Sequence, residues 1–379
     1  MRTLKGFNLL IFKPIILQIK SVLDQLPSLD LGGYPSPIRR LDRCSDTKRM
    51  GMSVGEVYLK DDGALNSIYG GNKIRKLELI LAEALRRGEQ RVWTVGGIGS
   101  HHALATALHG HQQGVHCHIF HVPQPVNAHV ISTLTALLTT SPTLTLAQPP
   151  EQGESAPASL KRQLKSWLQR GQDELGRAPF FIPSGGSSLL GTLGYLRAAF
   201  ELFEDIQQGR LPQIKAIYVP AGTCSTLAGL ALGVSILNLE IELVGVQVVP
   251  RYLANTKVVE RLILEAITFI NSQGIELPIS GHRYPYRLLK GYLGAGYGHM
   301  TAQGEEAMEL AAQDELKLDP IYTSKTMAAL LEEERDRCRP VLFWNTLSSA
   351  DLTQHTRGKN LEGLLNTLPS TYDSALGAL

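Results

Sequence analysis

Tyr69-Gly70-Gly71-Asn72-Lys73-Ile74-Arg75-Lys76-Leu77-Glu78 is the stretch of this chain best equipped for chemistry. Its glycines make an open turn. Ile74, Leu77, Ile80, Leu81, Ala84 and Leu85 then recur at the spacing of one helix face, and Arg86, Arg87 and Gly88 supply a stop. Lys73, Arg75 and Lys76 therefore crowd the positive end of a helix, where the macrodipole disfavours cations. A lysine held there beside other cations should lose its proton more readily, which suits attack on a carbonyl to form an imine. An ordinary basic helix start on a solvated surface would use the same residues.

Three glycine turns precede helices: Gly96-Gly97-Ile98-Gly99-Ser100-His101-His102, Pro183-Ser184-Gly185-Gly186-Ser187-Ser188 and Ala221-Gly222-Thr223-Cys224-Ser225-Thr226. Small residues at a helix start leave backbone N–H groups free for an anion. None of the three is a Walker loop or a clean dinucleotide fingerprint. Eight of the eleven histidines lie between His101 and His129, without the spacing of a zinc site. They read as a solvated or hydrogen-bonded, histidine-rich sheet edge, and no metal is expected.

The elements that must position these residues follow a strand, glycine turn, helix, strand pattern. Val92–Val95 is a strand, a helix follows from Ser100 with Ala103, Leu104, Ala107 and Leu108 inward, and Val115–Val122 is the next strand. The pattern returns in Ala216–Val219, a helix over Thr226–Val234, and Ile241–Val249. Between them, residues 139–178 are richer in polar residues and Pro, with an amphipathic helix at Leu160–Leu168, and a domain crossing is expected there. The 379 residues, 43% hydrophobic, can bury a large core, and a net charge of +2 favours neither nucleic acid nor an anionic membrane. No apolar run is long enough to span a membrane. Cys44, Cys117, Cys224 and Cys338 are scattered and read as reduced thiols in a cytoplasmic protein. Residues 1–23 are basic and split by Pro14, and are expected to form a packed or frayed extension. The tail after about residue 352 reads as polar and uninformative.

Gly70-Gly71-Asn72-Lys73-x-Arg75-Lys76-Leu77-Glu78 resembles the lysine motif of the D-cysteine desulfhydrase and 1-aminocyclopropane-1-carboxylate (ACC) deaminase family, among the type II pyridoxal-phosphate enzymes. The resemblance makes Lys73 the Schiff-base lysine and Asn72 its cofactor-binding neighbour. Gly222-Thr223-Cys224-Ser225-Thr226 resembles a Gly-Thr-Gly-Ser-Thr loop that cradles the cofactor phosphate, with Cys224 replacing a glycine. Gly97-Ile98-Gly99-Ser100-His101-His102 resembles a loop that holds the substrate carboxylate and whose asparagine touches the cofactor's phenolic oxygen. Ser100 is kept, Gly99 replaces Gln and His101 replaces Asn. The turn at 185–188 resembles a structural or interface-forming segment. Leu318-Asp319-Pro320-Ile321-Tyr322-Thr323-Ser324-Lys325 and Gly296-Tyr297-Gly298 resemble segments that place two tyrosines near cofactor and substrate, and Thr323 near the pyridine ring. Thr346 resembles a second hydroxyl position there, with Leu347-Ser348 replacing Gly-Gly.

What the resemblance implies is an α/β fold of two open, twisted, mostly parallel sheets with helices on both faces, like tryptophan synthase β. Residues 1–75 with 179–379 would form the large cofactor domain and 76–178 the small one, in a homodimer. Hydroxyls at 323 and 346 resemble the desulfhydrases, where ACC deaminases carry Glu and Leu. The implied activity is elimination on D-cysteine, giving pyruvate, ammonia and hydrogen sulfide. ACC deamination, another type II lyase or racemase reaction, and cofactor binding without turnover remain alternatives.

Overall fold

The computed structural model describes residues 9–46, 55–277 and 284–376. Ten strands carry the architecture: β1 (Ile38–Arg40), β2 (Val57–Asp61), β3 (Arg91–Gly97), β4 (His116–Val122), β5 (Thr143–Leu146), β6 (Phe181–Ile182), β7 (Ala216–Ala221), β8 (Glu242–Gln247), β9 (Tyr286–Leu289) and β10 (Val341–Asn345). They form two sheets, ordered β1-β2-β10-β7-β8-β9 and β5-β4-β3-β6. Every pairing is parallel except β1 with β2. This is the expected α/β class of two mostly parallel sheets.

The strands read as buried runs because helices cover a parallel sheet. All six residues of β7 are buried, and Pro220 is tolerated there because pairing with β10 ends at Tyr218. The small sheet reaches Ile182, since β6 pairs with β3, so it extends past residue 178. β4 lies between β5 and β3. Its histidines therefore form no sheet edge: His118 stacks on Trp93 with ring centroids 4.5 Å apart, and His121 is buried.

Helix Lys73–Arg86 joins the two halves. Ile74, Leu77, Ile80, Leu81 and Ala84 are buried as their spacing predicts, whereas Leu85 is exposed. Each buried Leu or Ile contributes roughly 1.5–3 kcal/mol, which offsets the unfavourable cations at the helix start. Their packing partners include Ala103, Leu104, Ala107 and Leu108 of helix His101–Gln112. A larger core surrounds β7, β8 and helices Leu189–Gln207 and Ser225–Ile236.

The two termini depart from expectation. Residues 1–8 of the basic extension lie outside the described residues, and Leu9–Asp24 runs as one helix through Pro14. The tail is not idle. Leu364, Leu365, Leu368 and Leu376 pack with fully buried Tyr372 against Ile98, Val130, Leu134 and Leu138, and Tyr372 bonds His121 Nδ1 at 2.8 Å. No helix among the described residues is long and apolar enough to cross a membrane.

Candidate active site

The turns after β2, β3, β7 and β10 lie at the carboxyl ends of parallel strands, where open α/β sheets form crevices. The loop before Lys73 is pressed onto two of them. Gly71 N–H donates to Asp62 O at 2.7 Å, Gly70 N–H to Ser348 Oγ at 2.8 Å, and Asn72 N–H to Thr346 O at 3.2 Å. Gly71 has φ +85°, and a Cβ on Gly70 would fall 2.1 Å from Gly63 O, so both positions need glycine.

Lys73 opens its helix and donates Nζ to Asn72 Oδ1 at 2.6 Å. Burial brings its amine down to about 8, against the opposing pull of Asp319. The expected direction holds, but the cause is burial rather than neighbouring cations. Arg75 points away into a buried ion cluster, bonded to Asp62 at 2.8 Å and Glu201 at 2.9 Å. Lys76 is also buried, donates to Gly185 O at 3.1 Å, and is held well below the usual lysine range by burial and then by Lys73.

The second and third glycine turns meet. Ser187 Oγ lies 2.6 Å from Thr223 Oγ1 and 3.0 Å from Ser225 Oγ, and Asn72 Nδ2 donates to Thr226 Oγ1 at 3.2 Å. The turn at 185–188, expected to be structural or interface-forming, thus brings a hydroxyl to the start of helix Ser225–Ile236. Helix Ser225–Ile236 starts there with no side-chain cap, so its first amides stay available to an anion. Gly222 keeps the loop open beneath the Tyr322 ring, 3.5 Å from where its Cβ would lie. Cys224 takes φ +72°, the conformation glycine would favour, and its buried thiol is pushed up to about 12 by desolvation.

In the first turn Ser100 caps helix His101–Gln112, accepting from Ala103 N–H at 3.3 Å. Gly99 N–H donates to Gln124 Oε1 at 3.3 Å. His102 goes elsewhere. Thr94 Oγ1 donates to Ile182 O at 2.9 Å, so it accepts from His102 Nε2–H at 2.8 Å; the buried His102 ring is neutral, with Nδ1 unpartnered among the described residues. Its side chain is buried against Thr94, near enough to Lys73 and Lys76 for both charges to reinforce what burial does in holding it well below the usual histidine range.

Tyr322 and Tyr297 share a hydrogen bond at 2.8 Å, with rings 6.0 Å apart and edge to face. The Tyr297 ring lies 3.5 Å from where a Cβ on Gly97 would stand, so the pair bridges the first and third turns. Burial keeps both hydroxyls protonated at neutral pH. The Thr323 hydroxyl is committed, donating to Asp319 Oδ2 at 2.7 Å. Thr346 offers its carbonyl to Asn72 and keeps a hydroxyl unshared among the described residues.

Asp319 is a site residue that sequence reasoning passed over. Its carboxylate accepts from the N–H groups of Ile321, Tyr322 and Thr323 and from the Thr323 hydroxyl. Burial pushes it up, but His101, the Thr323 hydroxyl and these amides bring it below the usual range. The Asp-Pro-x-Tyr-Thr run before a helix was a readable Asx-turn signal. Tyr69 and His129, which flank His101, carried no local signal.

A family model described as "Pyridoxal-phosphate dependent enzyme" matches residues 29–341. The D-cysteine desulfhydrase of Serratia proteamaculans (strain 568) is 34% identical over 337 residues, covering 87% of this chain and 96% of that one. That of Salmonella typhi is 34% identical over 331 residues, covering 86% and 94%. The crystal structure of an ACC deaminase homologue superposes with TM-score 0.72 at 29% identity, covering 93% of this chain and 99% of that chain. The residues fit the cofactor: a buried, readily deprotonated lysine faces imine chemistry, and an uncapped helix start lined with hydroxyls suits a phosphate. The chain belongs to the pyridoxal-phosphate-dependent enzymes, within the D-cysteine desulfhydrase and ACC deaminase family.

Proposed function

We propose that this protein is a carbon–sulfur lyase that converts D-cysteine and water into pyruvate, ammonia and hydrogen sulfide. The observation that carries the reading is the pair of hydroxyls at Thr323 and Thr346. With Thr323 tied to Asp319, Thr346 would be the residue left to offer the cofactor ring a hydroxyl rather than a carboxylate. Hydroxyls there, in place of a carboxylate, would suit the elimination of a good leaving group such as a thiol. The 34% identity to proteins named D-cysteine desulfhydrase supports the same substrate class.

Pyridoxal phosphate, when bound, supplies a carbonyl for pairing with amines and a ring that accepts the electrons released at Cα. Lys73 would hold it covalently, with Asn72 beside the amine. Ser225, Thr226, Thr223 and the open helix amides would hold its phosphate, and Gly222 and Cys224 shape that loop. Ser100 and the His101 amide would orient the substrate carboxylate, with Gly99 shaping the turn that carries them. Lys73 Nζ, neutral more often than an ordinary lysine, would take the α-proton, and the Tyr297–Tyr322 pair would keep a protonated hydroxyl near the departing sulfur. A homodimer belongs to the same proposal.

The test offers D-cysteine, L-cysteine and ACC separately to the cofactor-loaded protein, with keto acid and sulfide assayed together. Pyruvate and sulfide from D-cysteine alone are expected. Oxobutyrate from ACC, or no product from D-cysteine, would overturn the assignment.

A further inference from the structure

The C-terminal segment leaves β10 on the large sheet and returns to the site at two places. The first is the loop ahead of Lys73. Gln354 Nε2 donates to Ser67 O at 2.8 Å and to Ile68 O at 3.2 Å, and His355 Nε2–H donates to Ile68 O at 2.9 Å. Gly70, in the same loop, is tied to Ser348 Oγ, so residues 67–70 are held by the start of the segment.

The second place is the turn before Ser100. Gly96-Gly97-Ile98-Gly99 holds three glycines, so the Ile98 side chain is the one handle by which packing can fix that backbone. Ile98 is fully buried, in one apolar cluster with Val130 and Leu134 of helix Ala128–Leu138 and with fully buried Tyr372. Leu364, Leu365 and Leu368 pack against the same cluster. Tyr372 also reaches the backbone of the turn. Its hydroxyl bonds His121 Nδ1 at 2.8 Å, and β4 pairs His121 with Gly96 and Val122 with Gly97. Val122 O then accepts Ile98 N–H at 3.2 Å. One tyrosine therefore steadies the turn by packing with its side chain and by fixing the strand that carries it.

Movement of Ile98 cannot stay local, because Gly97 and Gly99 are its covalent neighbours. A Cβ on Gly97 would stand 3.5 Å from the Tyr297 ring, and Gly97 O accepts Ser100 N–H at 2.9 Å. The turn leads directly into the Ser100 hydroxyl and the His101 amide, the donors proposed to orient a substrate carboxylate. Hydrogen bonds weaken steeply as a donor leaves the line of its acceptor, so the support beneath the turn sets the grip. Lys73 and the phosphate loop are fixed by other contacts, from Asn72 to Thr226 and from Gly71 to Asp62.

We infer that the C-terminal segment is a strap whose Tyr372 positions the Ser100 turn and so sets how tightly the protein grips the carboxylate of its substrate. Tyr372 acts through Ile98 and His121, and it is a positioning residue rather than a contact to substrate or cofactor. The inference rests on the Ser100 turn being the carboxylate site, and not on which amino acid enters.

The experiment titrates the full-length, cofactor-loaded protein with D-alanine, L-alanine and ethylamine, following the visible band. Alanine has the carboxylate but no group to eliminate, and ethylamine is alanine without the carboxylate. Wild type should bind one alanine more tightly than ethylamine. In Tyr372→Ala the affinity for that alanine should fall about tenfold or more, since the cavity left by the ring lets the turn settle. Ethylamine should stay within about twofold of wild type, because Lys73 keeps its own supports. Tyr372→Phe, which keeps the ring, should recover most of the lost affinity. Should Tyr372→Ala fail to fold, Leu368→Ala removes a partly buried neighbour and should give the same selective loss on a smaller scale. Equal losses for alanine and ethylamine, unchanged alanine affinity in the variants, or Tyr372→Phe as weak as Tyr372→Ala would each overturn the strap. A wild type indifferent to the carboxylate would sink the reading of the Ser100 turn, and the strap with it. Because alanine carries no leaving group, the D-cysteine assignment can fail without moving this result.

Discussion

The Lys73 amine, brought by burial to about 8 from 10.5, should decide how fast the protein captures its cofactor. At pH 7 an amine at about 8 is neutral roughly 9% of the time, against roughly 0.03% at 10.5, a gain of about 300-fold in attacking species. The assay mixes cofactor-free protein with excess pyridoxal phosphate between pH 6 and 10 and follows the visible band. A free lysine derivative run in parallel cancels the cofactor's own ionisation. The ratio of the two rates should fall steeply above pH 8, as Lys73 saturates and the free amine continues to rise. The Asp319→Asn variant sharpens the test. Asparagine keeps one oxygen for the Ile321 and Tyr322 amides but removes the charge that holds Lys73 protonated. Saturation should therefore move below pH 8 in that variant. Saturation near 10.5 in the wild type, or an upward move in the variant, would refute burial as the governing effect.

Four further outcomes follow from the packing. Glu78 accepts from Leu31 N–H, Gly32 N–H and Tyr34 hydroxyl, and burial raises its carboxyl to about 7 from 4.5. The folded state keeps a proton that the unfolded state gives up, so this contribution is full below pH 4.5. Roughly 3 kcal/mol of it is lost as pH rises through 7, and Glu78→Gln should flatten that slope in urea unfolding at pH 5 and 8. Cys224→Gly should retain cofactor at least as well as wild type, because φ is +72° there. Cys224→Val should unfold more easily and hold cofactor less tightly on dialysis, because a side chain branched at Cβ tolerates φ +72° less well than cysteine does. Tyr372→Ala should cost about 3–5 kcal/mol in the same unfolding assay, since the ring is fully buried and its hydroxyl bonds His121.

What was legible in the sequence was what local spacing specifies. The apolar face from Ile74 to Ala84, the strands on either side of His101–Gln112 and the three glycine turns all depend on neighbours within a few residues. Pairings between distant segments were not legible. Arg75 meets Glu201 rather than crowding Lys73, and Glu78 reaches back to residues 31–34. His101 finds Tyr69 and His129 only once a loop and two helices converge. The tail looked empty because helices of four or five residues, such as Thr353–Thr356 and Leu361–Leu365, are too short to show a period. β1 and β2 escaped notice as well, and β1 has three residues, two of them exposed.

The central claim is that Lys73, and not its buried neighbour Lys76, holds the cofactor. Borohydride reduction of the loaded protein followed by peptide mass mapping tests it directly. The account predicts a reduced pyridoxyl adduct on Lys73 alone, absent from a Lys73→Ala variant. An adduct on Lys76, or none on the peptide containing Lys73, would contradict it.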